Sequence, residues 1–250
     1  MIKEFLFPQR CPVCTKVVRK DRLLPGEVNT LPQGVGLEEL ICPHCYGKLS
    51  FVTGDYCLKC GRPVRSDREE YCENCRRSKP SFELCRGMLN YADPDADRMV
   101  WDIKYNNKRE YADFIAAEMA RRYGREIFKW GVSCIIPVPV HPSKKRKRGY
   151  NQAEVIAERL GGLLNLPVLG DGLMRVKKTA PQKELDPGKR AANLAGAFAA
   201  GSIKGDEGTV LLIDDIYTTG ATMETCTRVL LAAGVKKVYC LACCTVGNEN

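Results

Sequence analysis

The stretch that most constrains the fold of this chain runs from Val210 to Thr222. An apolar run, Val210-Leu211-Leu212-Ile213, ends in Asp214-Asp215, and Ile216-Tyr217-Thr218-Thr219-Gly220-Ala221-Thr222 leads into a helical pattern. Such a run reads as a buried parallel strand. A Thr/Gly loop that opens a helix presents N–H groups and hydroxyls at the helix N-terminus, a setting that favours phosphate. Open α/β sheets bind ligands at the carboxyl ends of their strands, where the two aspartates are expected. Carboxylates beside a phosphate nest suit a sugar phosphate, because they accept hydrogen bonds from vicinal hydroxyls. The plainer alternative is a doubly wound domain with an ordinary polar strand-to-helix turn.

The string resembles the signature of type I phosphoribosyltransferases that binds 5-phosphoribosyl diphosphate (PRPP): strand, two acids, spacers, then Thr-Thr-Gly-x-Thr. The resemblance implies that Asp214 and Asp215 bind the ribose 2′- and 3′-hydroxyls. It also implies that Thr218, Thr219, Gly220, Ala221 and Thr222 cradle the 5-phosphate, and that Mg²⁺ accompanies PRPP.

The N-terminal third carries a different signal. Four Cys-x-x-Cys pairs, Cys11/Cys14, Cys42/Cys45, Cys57/Cys60 and Cys72/Cys75, fall within 65 residues. A two-residue gap lets both sulfurs of a pair turn to one ion, and two pairs complete a tetrahedral structural zinc site. Sequential pairing predicts one site from the first four cysteines and a second from the last four; interleaved pairing remains the alternative. No export signal is evident, so disulfides are disfavoured. Segments this small have little core, and metal would supply much of their folding energy. Residues 1–80 are therefore expected to form a double zinc ribbon, structural rather than catalytic. Such a module binds nucleic acid or protein, or serves as a rigid docking element.

The other cysteines sit in apolar contexts and read as buried hydrophobes. The formal charge of +9 drops to about +5 once two four-thiolate zinc sites are counted at −2 each. That favours anionic ligands. No apolar run approaches the ~20 residues of a membrane span, so a cytoplasmic location is the expectation.

Residues 81–250 are expected to form a parallel α/β domain. Helices are predicted from Asp93-Pro94-Asp95 to Tyr105, from Tyr111 to Tyr123 with Gly124 closing it, over Gln152–Leu164, and over Thr222–Ala233. Strands are predicted over Val132–Pro137, near Pro167–Leu169 and Leu173–Val176, from Val210, and over Val235–Thr245. A pyrophosphate leaving group needs a second anion site at another strand end of the same sheet edge. The segment from Ile136 to Gln152, with Val138 at its strand end and Lys144 to Arg148 in a basic loop, fits that need; Lys104 and Arg148 are candidates for charge neutralisation. The alternatives for the basic run are a solvated loop or contact with nucleic-acid phosphates. The polar stretch from Lys177 to Asn193 resembles the mobile hood of phosphoribosyltransferases; an ordinary hairpin or surface loop is the alternative.

Across its whole length the chain resembles the ComF family, the amidophosphoribosyltransferase-like component of bacterial natural competence. The resemblance rests on Phe5-Leu6-Phe7-Pro8-x-x-Cys11-x-x-Cys14, Cys57-x-x-Cys60-Gly61-Arg62-Pro63, Lys104-Tyr105, Pro137-Val138-Pro139, Arg148-Gly149-Tyr150-Asn151-Gln152, Thr179-x-x-Gln182 with Arg190 and Asn193, and the Asp214–Thr222 string. It implies a cytosolic factor, peripheral to the inner membrane, that acts in uptake of single-stranded DNA and cooperates with a helicase. The gap of 27 residues between Cys14 and Cys42 is longer than in the simplest members. Three roles follow: a phosphoribosyltransferase in which Asp214 and Asp215 fix the ribose for attack at C1′, a PRPP-sensing or single-stranded-DNA-binding module, or a scaffold that docks a helicase.

Overall fold

A computed structural model describes residues 8–18, 37–64, 66, 68–177, 194–203, 205 and 207–247. Its centre is a four-stranded parallel sheet in the order β1-β6-β5-β2, formed by β1 (Cys85–Asn90), β2 (Cys134–Pro137), β5 (Thr209–Tyr217) and β6 (Lys237–Thr245). Strand β5 pairs with β6 from Thr209↔Lys237 to Tyr217↔Thr245 and with β2 from Cys134↔Val210 to Pro137↔Ile213. The strand thus continues through both aspartates, four residues beyond the apolar run.

Helices α3 (Pro94–Tyr105), α4 (Tyr111–Lys129) and α6 (Gln152–Leu164) pack on one face, and α7 (Ala221–Ala232) packs on the other. The first face buries Leu211, Ile213 and Leu241 against Met99, Phe114 and Ile156; the second buries Val210, Leu212 and Cys240 against Cys226 and Leu230. This alternation is the period-2 pattern of a strand covered on both sides. Because α6 follows β2 and α7 follows β5 on opposite faces, the chain leaves these two neighbouring strands in opposite directions, the arrangement that opens a ligand crevice at the carboxyl ends of an α/β sheet.

Local chemistry sets the helix ends. Asp93 caps α3, accepting from the N–H of Asp95 at 2.9 Å, with Pro94 at the first helical position. Asn151 caps α6, whose bounds match those predicted. Two predictions need correction. Gly124 does not close α4, which runs on to Lys129 and buries Ile127; the glycine lets Leu164 of α6 pack close. The basic stretch after Pro137 is not a loop, because Pro142–Arg148 forms helix α5, capped by His141 Nδ1 accepting from the Ser143 N–H at 3.2 Å.

Strand β1 was not predicted. Arg86 and Gly87 interrupt its apolar run, yet Gly87 is what lets β1 lie against β6: a Cβ there would stand 2.5 Å from Thr245 Cβ. Outside the sheet, β3 (Leu173–Arg175) and β4 (Phe198–Ala200) pair antiparallel. The proposed hood lies between them, almost wholly outside the described residues.

The cysteine-rich segment is built of tight turns, with short helices α1 (Pro43–Tyr46) and α2 (Glu73–Ser78) opening just after Cys42 and Cys72. It lies along β1: the Val52 N–H donates to Met88 O, Asn90 N–H to Ser50 O and Cys85 N–H to Lys59 O, at 2.7–2.9 Å. Cys11, Ile41 and Leu49 join the core on the α3/α4 side, while Cys57, Cys60 and Cys72 join that on the α7 side. Fully buried Glu118 of α4 strengthens the first junction, accepting from Tyr46 Oη at 3.0 Å and Arg121 Nε at 2.9 Å.

Candidate functional site

The carboxyl end of β5 gathers the predicted ligand-binding residues. Successive strand residues point to opposite faces, and Asp214 and Asp215 do so. Asp215 is buried and its carboxylate forms an ion pair with Lys104 Nζ of α3. Asp214 stays partly exposed, accepts from the Asp215 N–H at 2.8 Å, and feels the charge of Arg175 on β3.

Their electrostatics differ accordingly. Burial, reinforced by the adjacent Asp215 charge, pushes the Asp214 carboxyl well above the usual range. Burial also works against an Asp215 carboxylate, but Lys104 outweighs it and holds that group below its ordinary value. Lys104 is raised in return, since Asp215 overcomes the cost of burial. The site thus holds one carboxylate fixed in its charged form and one that resists ionising.

After Tyr217 the chain turns into α7 through Thr218 and Thr219. Gly220 is the pivot: its φ is +83°, and a Cβ would lie 2.3 Å from Tyr217 Oη. The N–H groups of Thr222 and Met223 fall in the first helical turn, where no intrahelical carbonyl reaches them. The loop borders a crevice of about 830 Å³ whose other wall is α2, with Asn74 and Arg77 facing Thr219, Gly220 and Thr225. The segment from α2 to Ser81 grips both the loop and the helix it opens: Asn74 Nδ2 donates to Thr219 O at 3.3 Å, and the Ser81 N–H donates to Glu224 Oε2 of α7 at 2.7 Å. Sequence reading missed these contacts, which join residues about 145 positions apart.

Beyond the end of β2, Lys144 and Arg148 of α5 lie within electrostatic reach of Lys104 and Arg175. Burial, then the charges of Arg175, Arg148 and Lys104, lower the Lys144 pKa. Val138 is placed less favourably than predicted. Its N–H donates to Ile213 O at 2.8 Å and is spent in the sheet, and its carbonyl accepts from Asn151 Nδ2 at 3.0 Å.

Cys11, Cys14, Cys42 and Cys45 form one cluster and Cys57, Cys60, Cys72 and Cys75 another, with all ligand atoms of each within 4.8 Å of one another. Sequential pairing therefore holds. The Sγ atoms of Cys14 and Cys42 are 3.8 Å apart, and those of Cys60 and Cys72 3.7 Å. A tetrahedron with Zn–S bonds of about 2.3 Å has edges of about 3.8 Å, so both clusters fit a four-thiolate zinc ion. Half-buried Arg62 lies beside Cys60 and over the Tyr217 ring, 5.8 Å from its centroid, where its charge would offset that of a tetrathiolate site.

Residues 32–76 match the family model for a double zinc ribbon domain. The match covers the last three knuckles; Cys11 and Cys14 lie before it, and the structure brings them to Cys42 and Cys45. The chain is 28% identical over 217 residues to Competence protein F of Haemophilus influenzae, covering 79% of this chain and 93% of that protein. The chain is thus similar to a curated competence protein over about four-fifths of its length. It is also 26% identical over 204 residues to Competence protein ComFC of Bacillus subtilis (79% of this chain, 80% of that protein). With DNA utilization protein YhgH of Salmonella typhimurium the identity is 27% over 195 residues (74% and 82%). Among the described residues, no helix is long and apolar enough to cross a membrane.

Proposed function

We propose that this ComF relative binds PRPP with Mg²⁺ at the β5–α7 crevice and transfers or hydrolyses its phosphoribosyl group. Its setting would be the uptake and processing of single-stranded DNA in natural competence, in the cytoplasm and at the inner face of the membrane. The observation that carries the reading is the continuity of β5, the Asp214–Asp215 pair, the Gly220 pivot and the N-terminus of α7. The names of the relatives, competence and DNA utilization proteins, supply the setting.

In this reading the first-turn N–H groups of α7 and the hydroxyls of Thr218, Thr219 and Thr222 hold the 5-phosphate. Asp214 accepts from a ribose hydroxyl. Asp215 reaches the second hydroxyl when Lys104 swings from it to the incoming diphosphate. Lys144 and Arg148 add charge where pyrophosphate departs, which lowers the barrier to C1′–O cleavage. Mg²⁺ bound with PRPP would neutralise the diphosphate. Pyrophosphate release from Mg²⁺-PRPP, with and without single-stranded DNA, tests the transfer; none with any acceptor would remove it.

The burial of Asp215 against Lys104 favours a second reading, a module that senses PRPP without turning it over and docks a helicase. Stabilisation by Mg²⁺-PRPP with no pyrophosphate released would select it.

A further inference from the structure

The two cysteine clusters read alike in the sequence, and the fold covers them differently. In the second, Cys57, Cys60, Cys72 and Cys75 are all buried and share the α7-side core with Phe82. The crevice beside that cluster is lined by Asn74 and Arg77 of α2 and by none of its cysteines. In the first cluster, Cys11 and Cys45 are buried, while Cys14 and Cys42 are only half-buried. With Cys45 they line a cavity of about 500 Å³, bordered by the exposed side chains of Lys16, Val17 and His44.

That difference has a chemical consequence. Metal binding holds all four sulfurs of a site as thiolates, the nucleophilic form. Access then decides which of them react, because partly exposed thiolates meet oxidants and buried ones stay inert. The Sγ atoms of Cys14 and Cys42 stand 3.8 Å apart. A closure of about 1.8 Å would bring them to disulfide length.

We propose that Cys14 and Cys42 form a peroxide-sensitive modification site: hydrogen peroxide oxidises them to a disulfide and the first cluster gives up its zinc, while the second keeps its own. The Cys14 thiolate attacks one peroxide oxygen, breaks the O–O bond and releases hydroxide, leaving a sulfenic acid. The Cys42 thiolate attacks that sulfur and displaces a second hydroxide. The two sulfurs lose two electrons, the peroxide gains them, and two protons from solvent turn both hydroxides into water. Cys11 and Cys45 are then too few ligands for a structural zinc site.

The damage is confined by where this cluster docks. Val13 O, one residue before Cys14, accepts from Arg98 of α3, and α1, which opens after Cys42, carries the Tyr46 that donates to buried Glu118. Oxidation therefore acts on the α3/α4 side of the fold. The proposal stands apart from the sugar-phosphate reading, since it needs neither PRPP nor the two aspartates.

The test treats the full zinc-loaded protein with hydrogen peroxide and follows released zinc with a chromogenic chelator, beside peptide mass mapping. About one zinc per chain should leave at least about tenfold faster than the other, together with a Cys14–Cys42 disulfide, and thiol reductant with added zinc should reverse both changes. Cys14→His keeps four zinc-type ligands; it should retain both ions and lose the fast phase. Val17→Trp keeps every ligand and sets a large ring at the cavity; it should slow the fast phase several-fold. Release of both ions at one rate would overturn the proposal. So would a first disulfide within the second cluster, or equally fast release to the chelator without peroxide.

Discussion

Asn74, inside the last Cys-x-x-Cys knuckle, donates its side-chain amide to the carbonyl of Thr219, 3.3 Å away in the proposed phosphate loop. The bond ties a metal-dependent turn to the N-terminus of α7 and fixes which way the Thr219 peptide faces. Asn74→Ala should leave zinc content and melting temperature close to wild type and weaken PRPP binding about two- to tenfold, the value of one hydrogen bond. Titration calorimetry beside metal analysis separates the two effects.

Gly220 turns the chain where Tyr217 Oη fills the space of a side chain. Gly220→Ala should destabilise the protein by about 1–3 kcal/mol, through the left-handed φ and the clash together, and should abolish PRPP binding. Urea unfolding measures the first; a thermal shift with Mg²⁺-PRPP measures the second.

The aspartates predict opposite pH behaviour. Asp214 has a raised pKa when folded, so the folded state binds more protons than the unfolded one above the ordinary carboxylate range, and stability falls as pH rises through that window. Asp214→Asn should therefore be more stable than wild type at neutral pH, with the gain vanishing in acid. Asp215, lowered beside Lys104, contributes stability above the ordinary range that is lost as pH falls through its depressed value. Lys104→Met should cost about 3 kcal/mol at neutral pH, the low end for breaking a buried ion pair, and less in acid. Melting curves between pH 2 and 8 check both signs.

Metal analysis should return about two zinc ions per chain, one for each four-thiolate set. Cys14→Ser and Cys72→Ser should each lose about one. Losing the second site should cost more PRPP affinity, because from that side Asn74 reaches the proposed phosphate loop and Ser81 reaches Glu224 in the first turns of α7.

Much of this architecture was legible because its signals are local. Cys-x-x-Cys spacing reported both metal clusters, and the pattern from Val210 to Thr222 reported strand, turn and helix in order. What escaped depends on contacts between distant residues. Strand β1 is held in register by β6 despite Arg86 and Gly87, whose pattern alone reads as a break. Helix α5 forms within a run of like charges because His141 caps it and Pro142 starts it. The burial of Asp215 against Lys104 follows from where α3 packs, and no motif encodes that.

The most direct test of the central claim is titration of Mg²⁺-PRPP into the zinc-loaded protein and into Asp214→Asn/Asp215→Asn, followed by calorimetry. Saturable binding at one site per chain that the double substitution weakens at least about tenfold, with zinc content unchanged, is the predicted result. No heat of binding at saturating Mg²⁺, or equal affinity in the variant, would contradict it.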